Sequence, residues 1–132
     1  MSLPLFTSTQ VCDALRSLNT GFEVFDEFPQ TMENVRHGIY VNDPAIGDRT
    51  PYSLAVNYGG NIYVASDLMT IILVTFQGDV DRDKAVQAIQ NLVADNVLLD
   101  GYHERDYDMT QDYINRAEYR TYTFNLKRLE FQ

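Results

Sequence analysis

Cys12, His37 and His103 are the residues of this sequence whose side chains most often act as nucleophiles, bases or metal ligands. A cysteine nucleophile needs a base beside it, and no recognisable spacing connects either histidine to Cys12. His103 adjoins Glu104, which could give an acid–base pair or half of a metal site, but the chain has 2 histidines and lacks the HxxH and HExxH spacings. We therefore predict a protein that is not an enzyme, with no catalytic residue, cofactor or metal site.

Two runs of alternating acids resemble the opening of a calcium-binding loop, whose sixth residue must be glycine and whose twelfth must be glutamate. The run from Asp79 has Lys84 at its sixth position, and the run from Asp106 has Gln111. Neither run has glutamate at its twelfth position. We interpret the first run as acids near the start of a helix, and the second, within the polar segment 100–112, as a solvated loop.

The composition is that of one soluble globular domain covering residues 1–132. With 132 residues, 45% of them hydrophobic, the chain can bury one core. The net charge of -9, from 19 acidic and 10 basic residues, disfavours binding to a phosphate backbone. One cysteine excludes an internal disulfide, and no segment has the length of a membrane span or the pattern of a signal peptide. We expect synthesis in the cytoplasm and no membrane contact.

Hydrophobic periodicity predicts two amphipathic helices. The first covers 7–18, where Thr7 and Gln10 form a capping box and Phe6 and Val11 form a hydrophobic staple. The second covers 81–94, with acids in its first turn and one apolar stripe. Because each helix has a single apolar stripe, each needs one packing surface, and we expect both helices on the same face of a sheet.

The other elements are predicted strands separated by turns. β-branched and aromatic residues favour strands over 22–28, 35–41, 54–58, 62–65 and 118–131. Gly59 and Gly60 suit a two-residue hairpin turn. Near the chain end, Leu129 and Phe131 break the alternation of the last strand, which predicts a bulge or a separately docked end. The predicted fold class is α+β, a mainly antiparallel sheet with two helices packed on one face.

The segment 68–77 is apolar on both of its faces. Successive strand side chains alternate sides, so one face carries Ile72, Val74 and Phe76, and the other carries Met69, Ile71 and Leu73. A chain this short has few elements with which to cover both faces, and we predict that the uncovered face contacts another subunit. The residues predicted for this interface are Met69, Ile71 and Leu73.

Two further predictions concern the neighbourhood of this strand. If the strand from 62 continues to 77, a length at which strands usually bend, we expect an irregularity at Ser66 and Asp67. Asp67 is a buried acid only if that irregularity is absent. The segment 42–51 has three turn signals and is predicted to be a loop that packs weakly, moves in the free protein and contacts a partner through Ile46 and Asp48.

The order of elements resembles a known protein family. A helix, several antiparallel strands with a Gly-Gly hairpin, a second helix, a polar loop and the closing strand YRTYTFNLKRLEF at 119–131 resemble the tail terminator proteins of long-tailed bacteriophages. The resemblance implies a structural virion protein, made in the host cytoplasm, that forms a ring, typically a hexamer. Such a ring caps the tail tube and joins it to the head connector. A neck or head-completion protein of the connector shares these features and is the alternative.

The acidic charge has two interpretations under this resemblance. A ring of acidic subunits would give a channel through which DNA passes without specific binding, because like charges repel phosphate. The candidate wall residues are Asp26, Glu27, Glu33, Asp106 and Asp108. An acidic inhibitor that mimics DNA is a more distant alternative, since it requires acids aligned on one exposed face and the acids of this sequence are scattered.

Overall fold

The computed structural model describes residues 4–18, 21–29, 36–51, 62–76, 82–95, 99–114 and 116–131. The elements in chain order are α1 (Ser8–Ser17), β1 (Val24–Phe25), β2 (Gly38–Val41), β3 (Ala45–Pro51), β4 (Ile62–Phe76), α2 (Arg82–Asp95), β5 (Glu104–Ile114) and β6 (Ala117–Phe131). The described strands form one sheet in the order β1-β2-β4-β6-β5, and β3 also pairs with β4. The fold is α+β with a mainly antiparallel sheet, as predicted.

Local sequence signals explain the start of α1. The Thr7 side chain accepts a hydrogen bond from the Gln10 backbone N–H at 3.3 Å, and the Gln10 side chain accepts one from the Thr7 N–H at 2.9 Å. Phe6 and Val11 are both buried, as a hydrophobic staple requires. These contacts satisfy backbone donors that the first turn of a helix leaves unpaired, so the predicted capping box is confirmed.

The strands β4 and β6 form the centre of the sheet. They pair antiparallel over 15 residues each, from Ile62 opposite Phe131 to Phe76 opposite Ala117, without a change of register. The predicted irregularity at Ser66 and Asp67 is therefore absent from β4. The register shift lies instead in β3, between Ile46 and Arg49, whose partners on β4 are Asp67 and Ala65. The irregularity therefore lies in the strand beside β4 and not in β4 itself.

The main core lies between the two helices and one face of the sheet, here called the helix face. It contains Val11, Cys12 and Leu15 of α1 together with Ala85, Ile89, Leu92 and Val93 of α2. The sheet contributes Ile39, Val41, Met69, Ile71, Leu73, Tyr122, Phe124 and Leu126. Each large side chain buried here contributes about 1.5–3 kcal/mol relative to an exposed one. Both helices pack on the same face, as predicted from their single apolar stripes.

The opposite face of the sheet, here called the open face, is covered at one end by a smaller cluster. Tyr40, Val74 and Ala117 are buried there, with Phe25, Phe28, Ile72 and Tyr119 packed around them. The Phe25 ring stacks on Tyr40 with 4.8 Å between centroids. The chain therefore uses its own aromatic residues to cover much of the second apolar face of β4.

Several sequence predictions about loops and strand ends are wrong. Most of segment 42–51 is strand β3, which pairs with β4 and so is not a weakly packed loop. Segment 100–112 contains most of strand β5, which pairs with β6, and so is not a loop. The end of β6 has no bulge, since Leu129 and Phe131 stay in register with β4. The predicted strand at 54–58 and the Gly59–Gly60 turn lie outside the described residues.

The two helices were also compared with the length and hydropathy that a membrane span requires. Neither helix, over the residues that the structure describes, is long and apolar enough to cross a membrane.

Candidate functional site

Asp67 lies at the centre of a buried cluster of charged side chains on the helix face. Its side chain is 0% exposed and accepts a hydrogen bond from Arg128 Nε at 2.8 Å. The Tyr102 hydroxyl donates to the same carboxylate and accepts a hydrogen bond from the Leu5 N–H at 3.1 Å. Asp67 is thus the buried acid that the sequence allowed if β4 remained regular.

Two further charges extend the cluster across the sheet. Glu130 lies 3.9 Å from Arg128 and 2.7 Å from Arg49. The Arg49 guanidinium also lies over the ring of Tyr63, 4.4 Å from its centroid. These residues come from β3, β4 and β6, so the cluster fixes the relative positions of three strands.

Two members of the cluster, Arg128 and Tyr102, keep their protons at neutral pH. The hydrogen bond to Asp67 raises the pKa of Arg128, and burial, followed by the hydrogen bond to Asp67, raises the pKa of Tyr102. Arg128 therefore stays charged and Tyr102 stays neutral over the physiological range. The arrangement suits the alignment of strands, since neither of these two groups exchanges a proton readily near pH 7.

Glu118 forms a second charged cluster at the other end of the long strands. It accepts hydrogen bonds from Arg120 Nε at 2.7 Å and the Tyr113 hydroxyl at 3.0 Å, and its carboxylate lies 3.2 Å from Arg82 of α2. Burial raises the pKa of Glu118, but the hydrogen bonds from Arg120 and Tyr113 and the charge of Arg82 outweigh it and hold the pKa below its usual 4.5. This cluster connects α2 and β5 to β6.

These contacts predict a loss of stability in acid. Glu118 binds a proton at higher pH in the unfolded chain than in the fold, so its stabilising effect is complete above about pH 4.5 and is lost as the pH falls through its lower folded pKa. Asp43, whose pKa is lowered by hydrogen bonds from Ser8, adds to the same trend from 3.8 downward. Urea unfolding between pH 6 and pH 3 should show the midpoint falling below about pH 4.5, with a smaller fall for Glu118→Gln. A midpoint that rises in acid would contradict this assignment.

Cys12 is buried, and its surroundings do not suit a nucleophile. Its side chain is 0% exposed, and its thiol donates a hydrogen bond to the Phe25 carbonyl at 3.6 Å. Burial, with a further contribution from Asp26, raises the pKa of the thiol to about 12. A thiol with that pKa is deprotonated in about one molecule in ten thousand at pH 8.

We predict that Cys12 resists modification in the folded protein. The low thiolate fraction and the absence of solvent contact both slow the attack on a disulfide reagent. Labelling with an aromatic disulfide should proceed only at the rate of unfolding and should become complete within minutes in urea. Rapid stoichiometric labelling of the native protein would contradict the buried position.

The two histidines occupy unrelated surroundings. The ring of His37 stacks against Phe22 with 4.6 Å between centroids. His103 is exposed, and its backbone N–H donates to the Lys127 carbonyl at 2.9 Å. Glu104 beside it lies 3.4 Å from the Lys127 ammonium. Among the described residues, no group of three or more His, Cys, Asp or Glu side chains could hold a metal ion.

The subunit interface predicted on β4 is wrong for all three of its residues. Met69, Ile71 and Leu73 are at most 1% exposed, because they point to the helix face and are covered by α1 and α2. The two faces of β4 were correctly separated, but the helices cover the face that was assigned to the interface. Ile46 on β3 is 41% exposed and remains accessible, while the side chain of Asp48 lies outside the described set.

Apolar side chains reach solvent at both ends of the open face: Phe76 and Ile114 at one end, and Leu68 and Leu129 near the other. Leu68 is 39% exposed and Leu129 is 40% exposed. Val64 is half-buried and pairs with Leu129 across the two strands. We call Val64, Leu68 and Leu129 the open-face patch. It lies beyond the aromatic cluster that covers the other end of this face.

The acids predicted for a channel wall fall into separate places. Asp26 and Glu27 are exposed in the turn after β1, whereas Asp106 and Asp108 are exposed on β5, at the opposite edge of the sheet. Glu33 lies outside the described residues. One subunit therefore cannot place both pairs of acids at the same point of a channel wall. The orientation of the subunit in a ring would decide which pair faces the channel.

Three acids of β5 lie in a line on one face of the sheet, which was not predicted from the sequence. Asp106, Asp108 and Asp112 pair with Asn125, Thr123 and Tyr119 of β6, which places all three on the open face. The predicted scatter of acids is therefore wrong for β5, where alternate residues form a line. The alternation of these acids with Tyr107, Met109 and Tyr113 was the signal in the sequence that could have identified the strand.

No protein-family model and no curated protein sequence matches this chain. The tail terminator resemblance therefore rests on the sequence alone, and one of the elements that carried it, the polar loop, is largely strand β5.

Proposed function

We propose that this protein is a structural subunit of a bacteriophage virion, forming a ring that caps the tail tube and joins it to the head connector. The observation that carries the proposal is the open face of the sheet, which is opposite both helices and keeps Leu68 and Leu129 exposed. Such a surface favours assembly, because the free energy falls when a partner covers exposed apolar side chains.

The open-face patch replaces the buried side chains of β4 as the proposed contact between subunits. A closed ring forms when one heterologous contact repeats with a rotation that closes. Ile46 of β3 is exposed but pairs with Asp67, so it lies on the helix face and is not part of this contact. The resemblance to tail terminators supports six subunits.

The charge of the ring supports passage of DNA through its centre. Each subunit carries a formal charge of -9, and exposed charges act over about 8 Å at physiological ionic strength. The wall of the bore would be formed by one of the two exposed acidic groups, Asp26 and Glu27 after β1 or Asp106 and Asp108 on β5. DNA would pass this wall without specific binding because carboxylates repel phosphate.

The test of this function is capping of tail tubes. Tubes assembled from the tube protein of the same genome should show one additional ring at one end by electron microscopy after this protein is added, and should stop elongating. A ring that forms but binds the connector instead of the tube would support the neck protein. Absence of any ring or end density on tubes and connectors would overturn the proposal.

The line of acids on β5 is the feature that an acidic DNA mimic would use. Such a mimic would act as a monomer and would displace DNA from basic proteins. It remains the distant alternative, because three aligned carboxylates, those of Asp106, Asp108 and Asp112, cover a short length of one strand. Competition with DNA by a monomeric form, together with no tube binding, would favour it.

A further inference from the structure

Strand β5 is a long edge strand whose second backbone edge has no partner within the described part of the chain. It covers 11 residues and pairs with β6 along its other edge. All of its residues except Arg105 are exposed. In an antiparallel edge strand, alternate residues direct their N–H and C=O groups outward, where they can accept another strand.

The two faces of β5 differ in chemistry. Along the open face, β5 carries Asp106, Asp108, Thr110 and Asp112 in that order. Alternate residues of a strand lie about 6.8 Å apart, so the first two carboxylates are at that spacing. A strand that pairs with β5 would place every second side chain beside this line of negative charge.

The helix face of β5 carries large side chains that the helices leave accessible. Tyr107 is 41% exposed, Met109 is 39% exposed and Tyr113 is 72% exposed. Tyr107 packs against the buried rings of Tyr122 and Phe124, with centroid distances of 5.8 and 5.2 Å, which fixes its position. Tyrosine and methionine are enriched in protein interfaces, where they supply contact area.

A second copy of this chain does not fit the edge. Two β5 strands paired with each other would bring acidic side chains together, and like charges directly opposite are destabilising. Other parts of the chain cannot supply a matching basic strand, because at least seven of its 10 basic side chains lie within 4.0 Å of its own acids. Those seven are Arg16, Arg49, Arg82, Arg105, Arg120, Lys127 and Arg128.

We propose that the β5 edge binds an extended segment of a different protein, with Lys or Arg at alternate positions and apolar residues between them. The segment would add a strand to the sheet, with its cations beside Asp106, Asp108 and Asp112 and its apolar side chains on Tyr107 and Met109. Backbone hydrogen bonds supply affinity in this mode, and alternate side chains supply selectivity. The inference does not depend on ring formation, since a single subunit contains the whole edge.

The test uses a labelled 11-residue peptide of alternating Lys and Val, with blocked ends, and fluorescence anisotropy. The protein is the Leu68→Asp, Leu129→Asp double variant, in which the proposed ring contact is removed, so the two proposals are tested separately. We expect saturable binding that weakens with salt. A peptide of the same sequence, N-methylated at every second residue on the edge that faces β5, should bind at least about tenfold more weakly, because it cannot donate to the edge.

Matched variants test the role of the acids. The triple variant Asp106→Asn, Asp108→Asn, Asp112→Asn should bind about tenfold more weakly, since three exposed charge pairs contribute about 0.5 kcal/mol each. The control removes the same charge away from β5, with Asp13→Asn, Glu23→Gln and Asp83→Asn, and should change affinity less than about twofold. An equal loss in both variants, equal binding of the methylated peptide, or no binding at all would overturn the proposal. Dimers that strengthen in the β5 triple variant would assign the edge to a second copy instead.

Discussion

Replacement of Asp67 with asparagine is expected to lower the free energy of unfolding by about 3 kcal/mol. The substitution keeps the shape of the side chain and removes its charge, which leaves Arg128 buried with its side chain only 5% exposed. Breaking a buried ion pair by removing one partner costs about 3–5 kcal/mol. We expect the lower end of this range because Glu130 remains 3.9 Å from Arg128.

The control for this variant is an exposed ion pair between β5 and β6. Glu104 and Lys127 have side chains 48% and 38% exposed, so Glu104→Gln should change the free energy of unfolding by less than about 0.5 kcal/mol. The double variant Asp67→Leu, Arg128→Met should be more stable than Asp67→Asn, since it leaves no unpaired charge. Urea unfolding measures all three. A cost for Asp67→Asn as small as that for Glu104→Gln would show that the cluster does not stabilise the fold.

The second large effect concerns assembly. Leu68→Asp combined with Leu129→Asp should convert a ring into folded monomers, because each change places a charge in the proposed contact and removes apolar area from it. Circular dichroism should show an unchanged fold, since both side chains are about 40% exposed in the subunit. Sedimentation velocity measures the loss of the ring.

Two further variants separate assembly from folding. Leu18→Asp, at a site 43% exposed just after the end of α1, should leave the ring intact. Ile71→Asp should unfold the subunit, because a charge would enter a core position that is 0% exposed. A ring that survives the Leu68 and Leu129 changes but is lost with Leu18→Asp would place the contact on the helix side of the molecule.

Local signals in the sequence predicted the elements whose causes are local. The capping box of Thr7 and Gln10 and the alternation of Tyr122, Phe124 and Leu126 each depend on residues a few positions apart. The contact between Asp67 and Arg128 joins residues 61 positions apart, and its existence depends on the register of β4 with β6. That register cannot be predicted from residues that are close together in the sequence.

The faces of the sheet show the same limit. The apolar pattern of 68–77 correctly identified two apolar faces, but which neighbours cover each face depends on the packing of the helices and of Phe25 and Phe28. Strand β5 was predicted as a loop because an edge strand with both faces exposed has a weak hydrophobic pattern. Predicting the candidate contact surfaces therefore required the tertiary structure.

The mass of the assembled protein decides whether its subunits form a closed ring of six. Light scattering over a range of concentrations, and again after addition of tail tubes, should detect a closed species of about 91 kDa, six times the 15.2 kDa of one chain. The species should not grow further with concentration, since a closed ring has no unsatisfied contact. A strict monomer of 15.2 kDa at high concentration, with no ring on tubes, would contradict the account.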